Sequence, residues 1–209
     1  AGNRFHSKER KFLLQLAGGH PYLLQVAAAA LWDAYEERGM RQDERWQKVG
    51  ETLFNQVDGT LSDTWQIWSP EMKKAFTILA LDEMPLLLNE KQFDITALLD
   101  ELANYRPELR DLRRRGFIRE DRTLNSGWSI MGVVMLWWLG DEWIKSFRQQ
   151  DDLSNWLRLQ GWDGNFLKVG ERQQITTTVK NVSAFFKDGA ETFIKAAAEG
   201  FGKGVSKNP

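Results

Sequence analysis

The feature that most restricts the fold of this chain is the corner Gly18-Gly19-His20-Pro21, which interrupts the stretch LAGGHPYLLQVAAAALWDA. Apolar residues at helical spacing precede this corner from Ser7 to Leu16 and follow it as far as Ala34. Glycine ends a helix readily, and proline is tolerated in the first turn of the next helix. The sequence therefore predicts two helices that meet at a tight corner.

A longer third helix is predicted between Gln42 and Trp68. Its apolar residues recur at helical spacing on one face: Trp46, Val49, Leu53, Val57, Leu61, Trp65 and Trp68. Ser69-Pro70 then breaks the pattern, because proline cannot continue a helix from the preceding residue without cost. We therefore expect residues 1–69 to form one helical subdomain.

Residues 70–148 are predicted to form a second unit with a different order of elements. Its predicted helices are Glu71–Leu81, Phe93–Ala103 and Pro107–Arg115. Two short strands, GFIRE and GWSIM, then flank the polar turn DRTLNSG, which is typical of a hairpin. Three helices followed by a hairpin are typical of a winged-helix domain. An apolar helix from Val133 to Phe147 follows, and we expect it to pack on the hairpin.

Residues 149–209 are predicted to form a C-terminal extension with one long amphipathic helix, so the expected fold class is mainly α with a small β-hairpin. The apolar stripe of this helix repeats with a period close to that of a straight helix. Its candidate interaction residues are Ile175, Val179, Val182, Phe186, Phe193 and Phe201. Two uses stay open: packing on the body or on a second copy, and association with a membrane surface.

The overall composition argues against several functional classes. A net charge of −1 provides no field that would attract nucleic acid or an anionic membrane to the whole molecule. The absence of cysteine excludes disulfides and thiolate metal sites, and it fits a cytoplasmic location. No apolar run is long enough for a transmembrane helix, and the start AGNRFHSKERK lacks the apolar segment of a signal peptide. The missing initial Met favours a fragment of a longer protein.

No group of residues typical of catalysis is recognisable, so we expect no enzymatic activity from this chain alone. No Asp/Glu pair is found in an apolar setting that would suggest acid/base chemistry. His6 and His20 have no further ligand at metal-binding spacing, so no metal site is predicted. The segment GFGKG near the C-terminus lacks the spacing of a phosphate-binding loop.

A basic cluster lies on the third helix of the predicted winged helix, where DNA-binding members place the side chains that enter the groove. The candidate nucleic-acid contacts are Arg110, Arg113, Arg114 and Arg115 on this helix, together with Arg122 in the predicted wing. Acidic residues surround the cluster: Glu101, Glu108, Asp111, Glu120 and Asp121. A solvated helix, a protein contact and a nucleic-acid contact therefore all stay open.

The corner and its flanks resemble the lid region of STAND-type signalling ATPases, which are AAA-like proteins of bacterial regulation and defence. In that superfamily a Gly-x-Pro turn opens a lid helix after the nucleotide-binding core. The matching residues here are Gly19-His20-Pro21, followed by Tyr22-Leu23-Leu24-Gln25. A winged-helix domain comes next in such proteins, and the phrases LRRRGFIRE and GWSIMGVVMLWWL look like its end. The resemblance covers roughly the first 145 residues.

This resemblance implies that Gly19, His20 and Pro21 lie near the adenine of ATP or ADP bound to an upstream core. The Walker A and Walker B motifs of such a core are not among these 209 residues, so no cofactor is expected in this chain by itself. Relatives hold the nucleotide phosphate with a Met-His-Asp element, and the nearest match here is Met131-Gly132-Val133. The residues alone also allow a plainer interpretation, in which His20 simply precedes a helix.

We therefore expect a non-catalytic regulatory part of a STAND-like ATPase. It would couple the nucleotide state of an upstream core to self-association or to an effector protein. Two alternatives stay open: a nucleic-acid-binding winged-helix protein, and an effector that acts at a membrane surface through the C-terminal helix.

Overall fold

Three helices build the N-terminal part of the molecule: α1 (Ser7–Ala17), α2 (Pro21–Glu36) and α3 (Gln42–Ile67). The computed structural model describes residues 5–37, 39–87, 93–150, 158–159, 161–162, 170, 173–178 and 180. Helices α1 and α2 meet at the predicted corner, and α3 packs along α2. The rings of Phe12 and Trp46 stack with their centroids 4.9 Å apart, which joins α1 to the start of α3.

The second part follows the predicted order of three helices and a hairpin. Its elements are α4 (Pro70–Leu87), α5 (Thr96–Glu101), a 3₁₀ turn (Leu102–Tyr105), α6 (Arg106–Arg114), β1 (Ile118–Glu120) and β2 (Trp128–Ile130). The two strands are antiparallel, with Arg119 opposite Ser129. The expectation of a mainly α chain with a small β-hairpin is therefore confirmed.

Helix α4 is longer than the sequence pattern predicts, because it continues through Pro85 to Leu87. A proline inside a helix removes one backbone donor and crowds the carbonyl four residues earlier. Tertiary contacts hold this turn helical: Met84 is fully buried, and Asp82 and Glu83 accept hydrogen bonds from the hairpin. Packing therefore outweighs the local preference of the proline.

Helix α7 (Val133–Gln150) contacts the N-terminal helices more than it contacts the hairpin. The rings of Phe54 on α3 and Trp137 on α7 stack with centroids 4.2 Å apart, and Trp138 meets Trp65 edge-on at 5.8 Å. The buried residues of α1 to α7 consequently form one continuous core that crosses the predicted boundary at residue 69.

Beyond α7, residues 173–178 are helical, and Ile175 is fully buried. Trp162 is also buried, and the Lys74 ammonium of α4 lies 5.8 Å from the centre of its ring. Among the described helices, none combines the length and the apolar composition that a membrane span requires.

Candidate functional site

The predicted corner joins α1 to α2 through a glycine and an extended residue. Gly18 has a positive φ of 65°, and its N–H donates to the Leu14 carbonyl at 2.9 Å, which ends α1. His20 is extended, with φ −75° and ψ 118°, as expected for a residue before proline. Pro21 then begins α2, and the His20 carbonyl accepts a hydrogen bond from the Leu24 N–H at 3.0 Å. The prediction of two helices that meet at a tight corner is therefore confirmed.

Gly18 lies against a second glycine, Gly132, in the turn between β2 and α7. A Cβ atom on Gly18 would lie 2.6 Å from the Met131 carbonyl carbon. A Cβ atom on Gly132, which has φ +85°, would lie 2.7 Å from the Ala17 carbonyl carbon. Since Cβ atoms do not approach backbone this closely, both positions require glycine for space as well as for conformation. The two backbones hold the α1–α2 corner directly against the β2–α7 turn.

A third turn, between α6 and β1, completes the arrangement. The Phe117 ring lies 5.4 Å from the His20 ring, centroid to centroid. The Phe117 carbonyl also accepts a hydrogen bond from the Met131 N–H at 2.7 Å. Gly116 has φ +81°, and a Cβ atom on it would lie 3.9 Å from the Gly19 carbonyl oxygen. We call the resulting site the three-turn corner, which comprises residues 18–21, 116–117 and 131–132.

His20 is the polar side chain of the three-turn corner, and it is half-buried. Its Nδ1 atom is buried and has no hydrogen-bond partner among the described residues. Burial lowers the pKa of His20 from its ordinary value of 6.5, which favours the neutral ring. A neutral imidazole has one donor and one acceptor nitrogen. Beside it, Gly19 and Pro21 are exposed. The ring of Pro21 and the half-buried imidazole of His20 therefore form part of the surface at this corner.

The phosphate-holding element of the resembling family has no counterpart in this geometry. Gly132 takes the place of the histidine in the nearest match, Met131-Gly132-Val133, and the Ala17-Gly18 backbone fills the space that a side chain would need. Val133 is buried. At this position the three-turn corner therefore offers no side chain that could hold a phosphate.

The five arginines proposed as nucleic-acid contacts are all exposed, but three of them face carboxylates. Arg113 donates to Glu120 at 2.6 Å, and both Arg114 and Arg115 pair with Asp111, at 2.6 and 2.8 Å. Hydrogen bonds from the Arg115 and Arg114 guanidinium groups lower the pKa of the Asp111 carboxyl, and the bond from Arg115 has the larger effect. For Arg110 and Arg122, the described residues provide no acidic partner. The positive charge of this surface is therefore smaller than the sequence suggests.

The predicted interaction stripe of the C-terminal helix is described at only one of its six positions. Ile175 is 0% exposed and belongs to the core, so this side chain packs on the body of the molecule. The remaining candidates lie outside the described residues: Val179, Val182, Phe186, Phe193 and Phe201.

Sequence reasoning missed a carboxylate pair on α4. Asp82 is 2% exposed, and it accepts hydrogen bonds from the Ser126 N–H at 2.8 Å and the Asn125 side-chain amide at 3.2 Å. Glu83 accepts from the Ile130 N–H at 2.7 Å and the Ser129 hydroxyl at 3.0 Å. The pair is therefore an Asp/Glu pair in an apolar setting, contrary to the expectation from sequence. It escaped notice because the helix was expected to end before it.

Burial dominates the electrostatics of Glu83 and raises its pKa to about 7, although the hydrogen bonds from Ile130 and Ser129 oppose the shift. Among the described residues, the donors to the Asp82 and Glu83 side chains lie in the hairpin turn or in β2. The pair consequently holds the hairpin on α4. The signal in the sequence was the adjacent pair inside the apolar run LALDEMPLL.

Comparison with known proteins adds no relative to this description: no family model, no curated protein and no solved structure matches the chain.

Proposed function

We propose that this chain is the lid and winged-helix part of a STAND-type signalling ATPase, and that the three-turn corner contacts the adenine of ATP or ADP held by an upstream core. The observation that carries the proposal is the half-buried ring of His20 between the exposed residues Gly19 and Pro21, the three residues that match the Gly-x-Pro turn. The His20 and Pro21 rings offer a surface on which an adenine base can stack.

The output in this proposal is a rigid movement of the lid and the winged helix together. The Gly18–Gly132 contact and the stacked rings of Phe54 and Trp137 join the two parts through backbone and core. They would therefore rotate as one body against the core when the nucleotide is exchanged, and expose a surface for self-association or for an effector protein. Such coupling requires contacts that differ between the two nucleotide states. A nucleotide base that touches His20 and Pro21 in only one state provides such a difference.

The affinity of the parent protein for ADP tests this proposal. The variants Pro21→Ala and His20→Ala each remove one side of the proposed base contact while leaving the core intact. We expect each to weaken ADP binding by about tenfold, the value of one lost hydrogen bond or apolar ring contact. Binding is measured by fluorescence of an ADP analogue labelled on its ribose, so that the base stays unmodified.

Pro107→Ala is the matched control, because Pro107 also stands in the first turn of a helix, α6, and is exposed. It should leave the affinity for ADP unchanged. The proposal is wrong if Pro21→Ala and Pro107→Ala have the same effect. It is equally wrong if the parent gene encodes no phosphate-binding loop upstream of residue 1.

A further inference from the structure

A groove runs along one side of α6, between this helix and the hairpin. It has a volume of about 630 Å³. Leu102 and Leu109 form part of its lining and are 7% and 5% exposed, so they make an apolar floor. The half-buried ring of Trp128 on β2 adds to this apolar surface. None of these residues belongs to the three-turn corner.

Arginines line the helix side of this groove. Arg106, Arg110 and Arg113 follow one another at intervals of four and three residues, so they share one face of α6. Arg113 donates to Glu120 on β1, which joins the two sides of the groove. Arg106 and Arg110 are exposed, and the described residues contain no carboxylate paired with either. Two guanidinium groups one helical turn apart therefore stand above an apolar floor.

We propose that this groove binds an acidic peptide segment of a partner protein, with its carboxylates on Arg106 and Arg110 and an apolar side chain on the floor formed by Leu102 and Leu109. Guanidinium groups bind carboxylates through paired hydrogen bonds. A peptide that carries both charge and apolar side chains matches both components of the groove, in the manner of an amphipathic segment laid in a groove. The proposal does not depend on nucleotide binding.

The same observations favour a peptide over DNA. A DNA backbone has phosphates for Arg106 and Arg110, but it offers no apolar side chain to Leu102 and Leu109. Arg114 and Arg115 do not line the groove, and both are paired with Asp111. Arg106 and Arg110, for which the described residues provide no acidic partner, both line the groove.

Fluorescence anisotropy at low salt tests the proposal with a labelled amphipathic peptide that carries Glu on one face and Leu and Phe on the other. We expect saturable binding to the 209-residue chain that weakens with salt. The double variant Arg106→Glu/Arg110→Glu should lower the affinity at least about tenfold. Arg114→Glu, a charge reversal on the same helix outside the groove, should change it by less than about twofold. Replacing Leu and Phe of the peptide by Ser should also weaken binding.

A charge swap keeps the test valid if the double variant is suspected of misfolding. A peptide with Lys in place of Glu should not bind the natural protein and should bind Arg106→Glu/Arg110→Glu. The proposal is overturned if the acidic peptide does not bind saturably, or if Arg114→Glu weakens it as much as the double variant does. Tighter binding of a duplex DNA of random sequence, lost in Arg114→Glu as well, would assign the surface to nucleic acid instead.

Discussion

At the scale of single residues, the geometry of the proposed site depends on Gly18 and Gly132. Each adopts a positive φ, and the backbone of the other fills the space where its side chain would be. Glycine supplies the conformation at little steric cost, and it alone permits the close approach. Gly18, two positions before His20, therefore lies directly against the β2–α7 turn, and this contact places His20 and Pro21 near that turn.

Replacing Gly132 by Ala should therefore destabilise the protein by about 3 kcal/mol or more, since the added Cβ must displace the Ala17-Gly18 backbone. Gly127→Ala is the matched control. Gly127 also has a positive φ, of 74°, but nothing lies within 4 Å of a Cβ built there. It should cost only about 1 kcal/mol, the strain of the left-handed conformation. Urea unfolding gives both values, and equal costs for the two variants would contradict the close backbone contact.

At the scale of elements, Asp82 and Glu83 fix the hairpin to α4. Four hydrogen bonds run from the hairpin to these two side chains, and two of the donors are backbone N–H groups. The hairpin has strands of only three residues each, so it needs support of this kind to keep a defined position. The α6 groove depends on that position, because Trp128 and Glu120 belong to the hairpin.

The pH dependence of stability tests the role of Glu83. Its pKa is about 7 in the folded protein against 4.5 ordinarily, so the folded state binds the proton more tightly than the unfolded chain does. This group's contribution to stability is complete below about pH 4.5 and is lost as the pH rises through about 7. Glu83→Gln imitates the protonated form, since its amide can accept from the Ile130 N–H and donate to the Ser129 hydroxyl.

Urea unfolding at about pH 5.5 and about pH 8.5 should show the natural protein losing more stability than Glu83→Gln over this interval. Glu83→Ala removes both hydrogen bonds and should cost about 2 kcal/mol at the lower pH. Glu71→Gln, at the exposed start of the same helix, is the control and should follow the natural protein. If Glu83→Gln keeps the full pH dependence, Glu83 is not the group responsible.

The elements also mark how far sequence reasoning reaches in this protein. Helices α1 to α3 and the order of α4 to β2 were predictable, because helical spacing, glycine, proline and turn residues act locally. The passage of α4 through Pro85 was not, since contacts of Met84, Asp82 and Glu83 with distant residues decide it. The packing of α7 on α1 and α3 was likewise missed, because the apolar pattern of a helix does not indicate which elements it packs against.

At the scale of the whole molecule, one core joins the predicted lid and the predicted winged helix. It passes from Phe12 and Trp46 through the stacked rings of Phe54 and Trp137 to the buried side of α4. The corner Gly19-His20-Pro21 was recognisable from sequence as a candidate site. Its meeting with Gly116-Phe117 and Met131-Gly132 was not, because about a hundred residues separate these turns along the chain. A movement that starts at the corner would therefore carry the whole body.

Hydrogen exchange in the parent protein, with and without ADP, tests the central claim most directly. The amides of Tyr22 and Leu23 stand at the start of α2, where backbone N–H groups have no acceptor within the helix. We expect ADP to slow exchange at these amides and at Gly19, since a base lying on His20 and Pro21 would cover them, and to leave the exposed start of α6 unchanged. Unaltered exchange from Gly19 to Leu23 under saturating ADP would contradict the assignment of this corner to the nucleotide site.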